Sequence, residues 1–133
     1  MKNAIILREK ALKLNLYASD EFWNFKDENK LNELWNGYGP DKWPNCIRSI
    51  MTFIYRNYEE SALIHDFDYT FSDKSIQGWI LADNRFAYNF KKQIDNRYPF
   101  KNPLLWPLRV IALAKRKTAI EALELGGFSA WKD

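Results

Sequence analysis

The sequence predicts an all-α protein that forms one small domain, and three observations support this prediction. Apolar residues recur at helical intervals along much of the chain, no alternation of period 2 extends far, and no segment rich in Gly, Ser or Pro divides the 133 residues. With 47% hydrophobic residues, the chain is long enough to bury one core. We therefore expect a single domain over residues 1–133 without an internal boundary.

The expected helices follow one another along the chain. The N-terminal segment MKNAIILREKALKLNLY has an apolar run of only four residues, too short for a signal peptide, and is expected to form the first helix. Asp27 is the expected N-cap of a short helix in DENKLNELW. Further helices are expected at the apolar stripe of residues 47–58 and over about residues 59–71, 73–97 and 103–125. Pro99 follows the longest of these, and Gly126 and Gly127 mark the end of the last.

Composition and charge narrow the class of protein. Cys46 is the only cysteine, which excludes an internal disulfide framework. The net charge of +3 is mild and the basic residues are scattered, so no nucleic-acid partner is expected. The longest apolar stretch, residues 103–114, falls short of the roughly 18 residues of a membrane span and contains an arginine. We expect a soluble protein with neither a signal peptide nor a transmembrane segment.

The stretch ALIHDFDY, residues 62–69, contains the only histidine of the chain. At 100° per residue, His65, Asp66 and Tyr69 share one side of the expected helix with Ala62. The other side carries larger apolar side chains, namely Leu63, Ile64, Phe67 and Phe71. We expect the helix to bury this apolar side in the core and to present the side with His65 to another element.

The next expected helix has an aspartate within its apolar stripe. Asp83 falls in the middle of a stripe that consists of Ile76, Trp79, Ile80, Ala87, Phe90 and Ile94. An unpaired carboxylate there costs several kcal/mol, so it needs a partner. With a turn near Asp73, His65 lies eight residues before the turn and Asp83 ten residues after it. In an antiparallel helix pair the two reach nearly the same level, which predicts a His65–Asp83 contact.

A carboxylate that holds one imidazole nitrogen fixes the tautomer and makes the other nitrogen a better base. Such a base can take a proton from water, which is the chemistry of hydrolysis. Single His–Asp contacts between packed helices also occur for stability alone. Both interpretations are open at this point.

The segment WNGYGPDKW, residues 35–43, is expected to form a loop because it has Gly37, Gly39 and Pro40 within four residues. Its glycines allow backbone carbonyls to turn toward a common point, as a Ca²⁺ site requires when a carboxylate completes the oxygen shell. Asp66 is the candidate carboxylate. The same residues are also typical of a simple turn.

Together these segments resemble the phospholipase A2 superfamily, most closely its compact viral, phage and bacterial branch without disulfides. The matching pieces are N-G-Y-G-P at residues 36–40, His65-Asp66 with Tyr69, and Ala82-Asp83 with Phe86. The order and spacing fit over roughly residues 35–95, which places the phospholipase A2-like core at about residues 35–97. The resemblance implies an antiparallel, catalytic-type helix pair with a glycine-containing loop.

The resemblance implies a Ca²⁺-dependent hydrolase that cleaves the sn-2 ester of phospholipids with an activated water. His65 would be the general base, Asp83 its orienting partner, and Tyr69 a donor that supports Asp83. Asp66 and the carbonyls of Tyr38 and Gly39 would hold Ca²⁺, which polarises the ester carbonyl. A phospholipid or membrane surface would be the partner, and the protein would be cytoplasmic or associated with a phage virion.

A second resemblance leads to a different class of protein. Small uncharacterised phage proteins also carry an apolar-HD-x-x-Y helix followed by an A-D-x-x-F helix, so the alternative is a non-enzymatic structural or interaction protein on the same scaffold. A metal-dependent HD phosphohydrolase is excluded, because it needs additional histidines. An open pocket at His65 would favour the hydrolase, whereas aromatic side chains that seal it would favour the scaffold.

The expected helix over residues 103–125 also has two interpretations. Its apolar stripe would pack into the core and consists of Leu104, Leu108, Ile111, Ala112, Ala119 and Leu123. Alternatively, Trp106 and the neighbouring leucines, with the basic residues 115–117, would seat the protein on an anionic interface. Packing into the core is the expectation, because such stripes most often lie inside a domain.

Overall fold

The computed structural model describes residues 3–35, 53–54, 56–71 and 74–124. Over these residues the protein is all-α, as predicted, and has no strand. The helices are α1 (Ala4–Lys13), α2 (Asp20–Trp23), α3 (Glu28–Leu34), α4 (Glu59–Phe71), α5 (Ile76–Arg97) and α6 (Trp106–Ala122), with a 3-10 helix at Pro103–Leu105. Residues 53–54 and 56–57 are helical too, whereas the rest of the stripe predicted at 47–58, apart from residue 58, lies outside the described residues.

Polar side chains cap several helices at their N-termini. Asp27 Oδ1 accepts a hydrogen bond from Lys30 N at 3.1 Å, so the predicted cap of α3 is confirmed. Ser75 caps α5 in the same way, with Gly78 N donating to its hydroxyl at 3.0 Å. Each cap satisfies a backbone N–H group that the first turn of a helix leaves unpaired. The cap at Ser75 also places the start of α5 three residues later than the sequence predicts.

Helix α4 is surrounded by other helices and packs against α1, α3 and α5. All of its residues from 60 to 69 are buried except Asp66, which is partly buried. The side with His65 faces another element, as expected, and this element buries it. That side is covered by α5, so Ala62 and His65 are as inaccessible as Leu63 and Ile64 on the other side.

The buried face of α5 differs from the predicted apolar stripe. Phe90 and Ile94 are buried as expected, but Ile76 and Ile80 are exposed. The buried positions are Ala82, Phe86, Asn89, Phe90, Gln93 and Ile94. Two of these are amides that hydrogen-bond to other parts of the chain, and a stripe drawn through apolar residues alone omits them.

Helix α6 packs on α5 through its small residues and its C-terminal half. Ala112, Ala119 and Leu123 are buried as predicted. Leu104, Leu108 and Ile111 are exposed, so the prediction that they pack into the core is wrong. Helix α6 packs mainly against α5, so only one side of α6 is covered. The other sides of its first turns are exposed to solvent. None of the described helices has the length and apolar character needed to cross a bilayer.

Candidate active site around His65

The predicted contact between His65 on α4 and Asp83 on α5 is confirmed. His65 Nε2 lies 2.9 Å from Asp83 Oδ1, and the Tyr69 hydroxyl donates to the same oxygen at 3.1 Å. His65 and Tyr69 are four residues apart on α4, which places both side chains on the face toward α5. One carboxylate oxygen therefore binds two side chains of the neighbouring helix.

The arrangement selects one tautomer of the His65 ring. An ionised carboxylate can only accept hydrogen bonds, so Nε2 carries the proton that points to Asp83 when the ring is neutral. The lone pair is then on Nδ1. This tautomer gives a base whose orientation is held by a carboxylate, which is the form that proton abstraction from water requires.

His65 is almost completely buried. Its side chain is 1% exposed, whereas that of Asp83 is 15% exposed. The ring lies beside two aromatic rings, with centroid distances of 4.2 Å to Tyr69 and 4.8 Å to Phe86. Aromatic packing around His65 favours the non-enzymatic scaffold.

Tyr69 is held in its neutral form. Burial raises the pKa of its hydroxyl, and the negative charge of Asp83 raises that pKa further. The charge of Asp66 acts in the same direction, while a hydrogen bond with Trp79 partly offsets these effects. Tyr69 therefore remains a proton donor to Asp83 at any ordinary pH.

The predicted Ca²⁺ ligands lie mostly outside the described residues. Tyr38 and Gly39 belong to the segment 36–52, which the structure does not describe, and Asp66 is partly buried on α4 directly after His65. Within the described ranges, no group of three or more His, Cys, Asp or Glu side chains is placed to hold a metal ion. A site built from one carboxylate and backbone carbonyls contains no such group, and Asp66 is the one predicted ligand that lies within the described residues.

Two further polar contacts join α4 to α5, and neither was predicted from the sequence. Gln93 donates to Glu60 Oε2 at 2.8 Å, and Gln93 Oε1 accepts hydrogen bonds from the backbone and the hydroxyl of Ser61. At the other end of α4, Arg85 donates to Asp68 Oδ1 at 3.0 Å. The spacing of polar residues on α4 could have predicted these contacts. Residues 61, 65 and 68 follow one another at intervals of four and three, which places them on one side of an otherwise apolar helix.

Comparison with known protein families, with curated proteins and with solved structures finds no match to this chain. The geometry of the described residues is therefore the basis on which a function is assigned. That geometry contains an oriented imidazole, its carboxylate partner and a neutral phenol on the same carboxylate oxygen. The combination can accept and return a proton without a serine or cysteine nucleophile.

Proposed function

We propose that the chain is a small hydrolase of the phospholipase A2 type, which cleaves the sn-2 ester of a phospholipid with a water activated by His65. The observation that carries the proposal is Asp83 Oδ1, which accepts hydrogen bonds from both His65 and Tyr69. These are the contacts that the resemblance implies for the base, its orienting partner and the supporting donor. The resemblance was drawn from the order and spacing of residues in the sequence, and the observed contact of Tyr69 with Asp83 supports it.

In the proposed reaction, a water must reach the buried His65 ring, where Nδ1 takes a proton from it while the water oxygen attacks the ester carbonyl carbon. Asp83 stabilises the imidazolium that forms, because its charge lies 2.9 Å from Nε2. The imidazolium then returns the proton to the glycerol oxygen as the ester C–O bond breaks. The products are one fatty acid and one lysophospholipid, and His65 is restored to its neutral form.

Calcium would polarise the ester carbonyl and stabilise the oxyanion when it is bound. Asp66 would hold the ion together with the carbonyls of Tyr38 and Gly39. The Asp66 side chain leaves α4 about 100° around the helix from His65, so one carboxylate can face a metal while the neighbouring imidazole faces the water.

The burial of His65 favours a second candidate function, a non-enzymatic structural or interaction protein of the phage type. The ring is 1% exposed and packs between Tyr69 and Phe86. Buried contacts of Gln93 with Glu60 and of Arg85 with Asp68 lie on the same helix interface. Buried polar pairs can specify how two helices align. In this alternative the His65–Asp83 contact belongs to that set and does no chemistry.

A hydrolysis assay separates the two functions. The purified chain is incubated with a phospholipid that carries different fatty acids at sn-1 and sn-2, in the presence of calcium or of a chelator, and the released acids are identified. We expect release of the sn-2 acid by the wild type in calcium. The rate should be lost in His65→Gln, because glutamine can still donate to Asp83 but is not a base.

The matched control is Ser61→Ala, which changes another buried polar residue of α4 one turn from His65. Circular dichroism verifies that both variants fold, and Ser61→Ala should keep the wild-type rate. Absence of sn-2 release by the wild type in calcium, or an equal rate in folded His65→Gln, would reject the hydrolase. Either result would favour the scaffold.

A further inference from the structure

Exposed apolar side chains are concentrated at the start of α6 and in the segment before it. This group, the α6 apolar surface, consists of Phe100, Leu104, Trp106, Leu108, Val110 and Ile111. The side chains are between 44% and 88% exposed. Single exposed apolar residues are ordinary, whereas several adjoining ones mark a surface that docks on something else.

The aromatic pair at the edge of this surface is arranged for an apolar medium. The rings of Phe100 and Trp106 stack with centroids 5.4 Å apart. The indole N–H of Trp106 donates to the backbone carbonyl of Phe100 at 2.6 Å. Because this hydrogen bond is internal, the indole can leave water without losing a partner for its polar group.

The charge around the α6 apolar surface has one sign. Residues 96–120 contain no Asp or Glu, although the whole chain has 17 of them. The same segment contains six basic residues, namely Arg97, Lys101, Arg109, Lys115, Arg116 and Lys117. The nearest acidic residues are Asp95, which is bound to Arg109 and Lys91, and Glu121 toward the end of α6.

The positive charge of this segment indicates which kind of partner docks on the α6 apolar surface. Two copies of the chain docked symmetrically through this surface would bring their basic segments together, which is unfavourable. An anionic bilayer offers the opposite charge beside an apolar interior. Lysines such as Lys101 and Lys117, both exposed, can extend to the headgroups while the neighbouring apolar side chains enter the acyl region.

We propose that the α6 apolar surface docks on the surface of a bilayer that contains anionic lipid. Phe100, Leu104, Trp106 and Val110 insert at the boundary of headgroups and acyl chains, and the exposed Lys101 and Lys117 bind the headgroups. Docking uses residues outside the His65 site and requires no turnover, so it does not depend on the proposed hydrolase activity. It would hold the chain on the membrane in either candidate function.

The test measures co-sedimentation of the full chain with vesicles of phosphatidylcholine alone or mixed equally with phosphatidylglycerol. We expect binding to the mixed vesicles that weakens as salt rises from about 0.05 M to about 0.5 M. Val110→Asp should reduce the affinity at least about tenfold, because it places a charge in the inserted surface. The matched control is Leu12→Asp, since Leu12 is equally exposed on α1 and lies outside the α6 apolar surface.

Two measurements make the result decisive. His65→Gln should bind vesicles as the wild type does, which separates failure of docking from failure of catalysis. Sedimentation of the protein without vesicles reports self-association. Absence of binding to the mixed vesicles, or equal loss of binding in Leu12→Asp and Val110→Asp, would overturn the proposal. The proposal would also be overturned if the protein does not bind vesicles but forms a dimer that Val110→Asp disrupts. That result would assign the α6 apolar surface to contact with a second copy of the chain.

Discussion

His65 Nε2 lies 2.9 Å from Asp83 Oδ1, although the two residues are eighteen positions apart and on different helices. The contact is buried between α4 and α5, where a hydrogen bond to a charged group is stronger than in water. It therefore affects both stability and any chemistry at the ring. The predictions that follow separate these two effects.

Removal of the shared carboxylate should destabilise the fold. In Asp83→Ala, the polar atoms of His65 and Tyr69 lose their common partner inside the protein. We expect the free energy of unfolding to fall by about 2–4 kcal/mol, measured by urea denaturation. Asp83→Asn keeps an oxygen acceptor and should lose less. Equal stability of Asp83→Ala and the wild type would contradict a structural role for this carboxylate.

Tyr69 should make the fold sensitive to alkali. Its pKa in the folded protein is raised above the ordinary value of 10.0, first by burial and then by the charge of Asp83. Above pH 10.0 the phenol of the unfolded chain loses its proton, whereas the phenol of the folded chain keeps it. The contribution of Tyr69 to the free energy of unfolding therefore declines as pH rises above 10.0.

The measurement is the free energy of unfolding of the wild type and of Tyr69→Phe at several pH values. The wild type should be the more stable near neutral pH by about 1 kcal/mol, because the phenol donates to a carboxylate. The difference should shrink as pH rises above 10.0. Tyr88→Phe, at an exposed position of α5, is the control. A Tyr69→Phe difference that is constant or grows with pH would refute the assigned direction.

Asn89 should stabilise the attachment of the N-terminal segment to α5. Its side chain accepts from Tyr17 N at 2.7 Å and donates to Tyr17 O at 2.8 Å, and it is completely buried. Asn89→Ala leaves both backbone groups without this partner, which should lower the free energy of unfolding by about 1–3 kcal/mol. Amide exchange at Tyr17 should also become faster.

The control for Asn89 is Asn84→Ala, which removes an exposed asparagine from the same helix. It should change stability by no more than about 0.5 kcal/mol. If the two alanine variants are equally stable, the hydrogen bonds between Asn89 and Tyr17 contribute nothing measurable to the free energy of unfolding.

The helix pair and the His65–Asp83 contact were accessible from the sequence because both depend on local rules. Helical periodicity fixed the element type, and the distance of each residue from the turn placed the two side chains at one level. The spacing of four residues placed Tyr69 on the same side as His65, whereas its contact with Asp83 was implied by the resemblance alone. The catalytic roles of these residues stay predictions.

The burial of individual residues was harder to predict from the sequence, because periodicity does not show how many other helices pack against a helix. His65 was expected to face the next helix, which it does, but the packing of α1 and α3 on α4 was not predicted. Leu104 and Ile111 were expected in the core, but α6 is covered mainly on one side. Asn89 and Gln93 were missed because a buried amide looks like a surface residue until its partner, distant in sequence, is known.

The tautomer of His65 tests the central claim most directly, and the chain has only one histidine to observe. Nitrogen NMR of the ¹⁵N-labelled imidazole at about pH 8.5, where a free imidazole is neutral, distinguishes a protonated ring nitrogen from a bare one. Orientation of a base by Asp83 predicts a proton on Nε2 and a lone pair on Nδ1. A proton on Nδ1, with Nε2 bare, would contradict both the hydrogen bond to Asp83 and the role of His65 as the base.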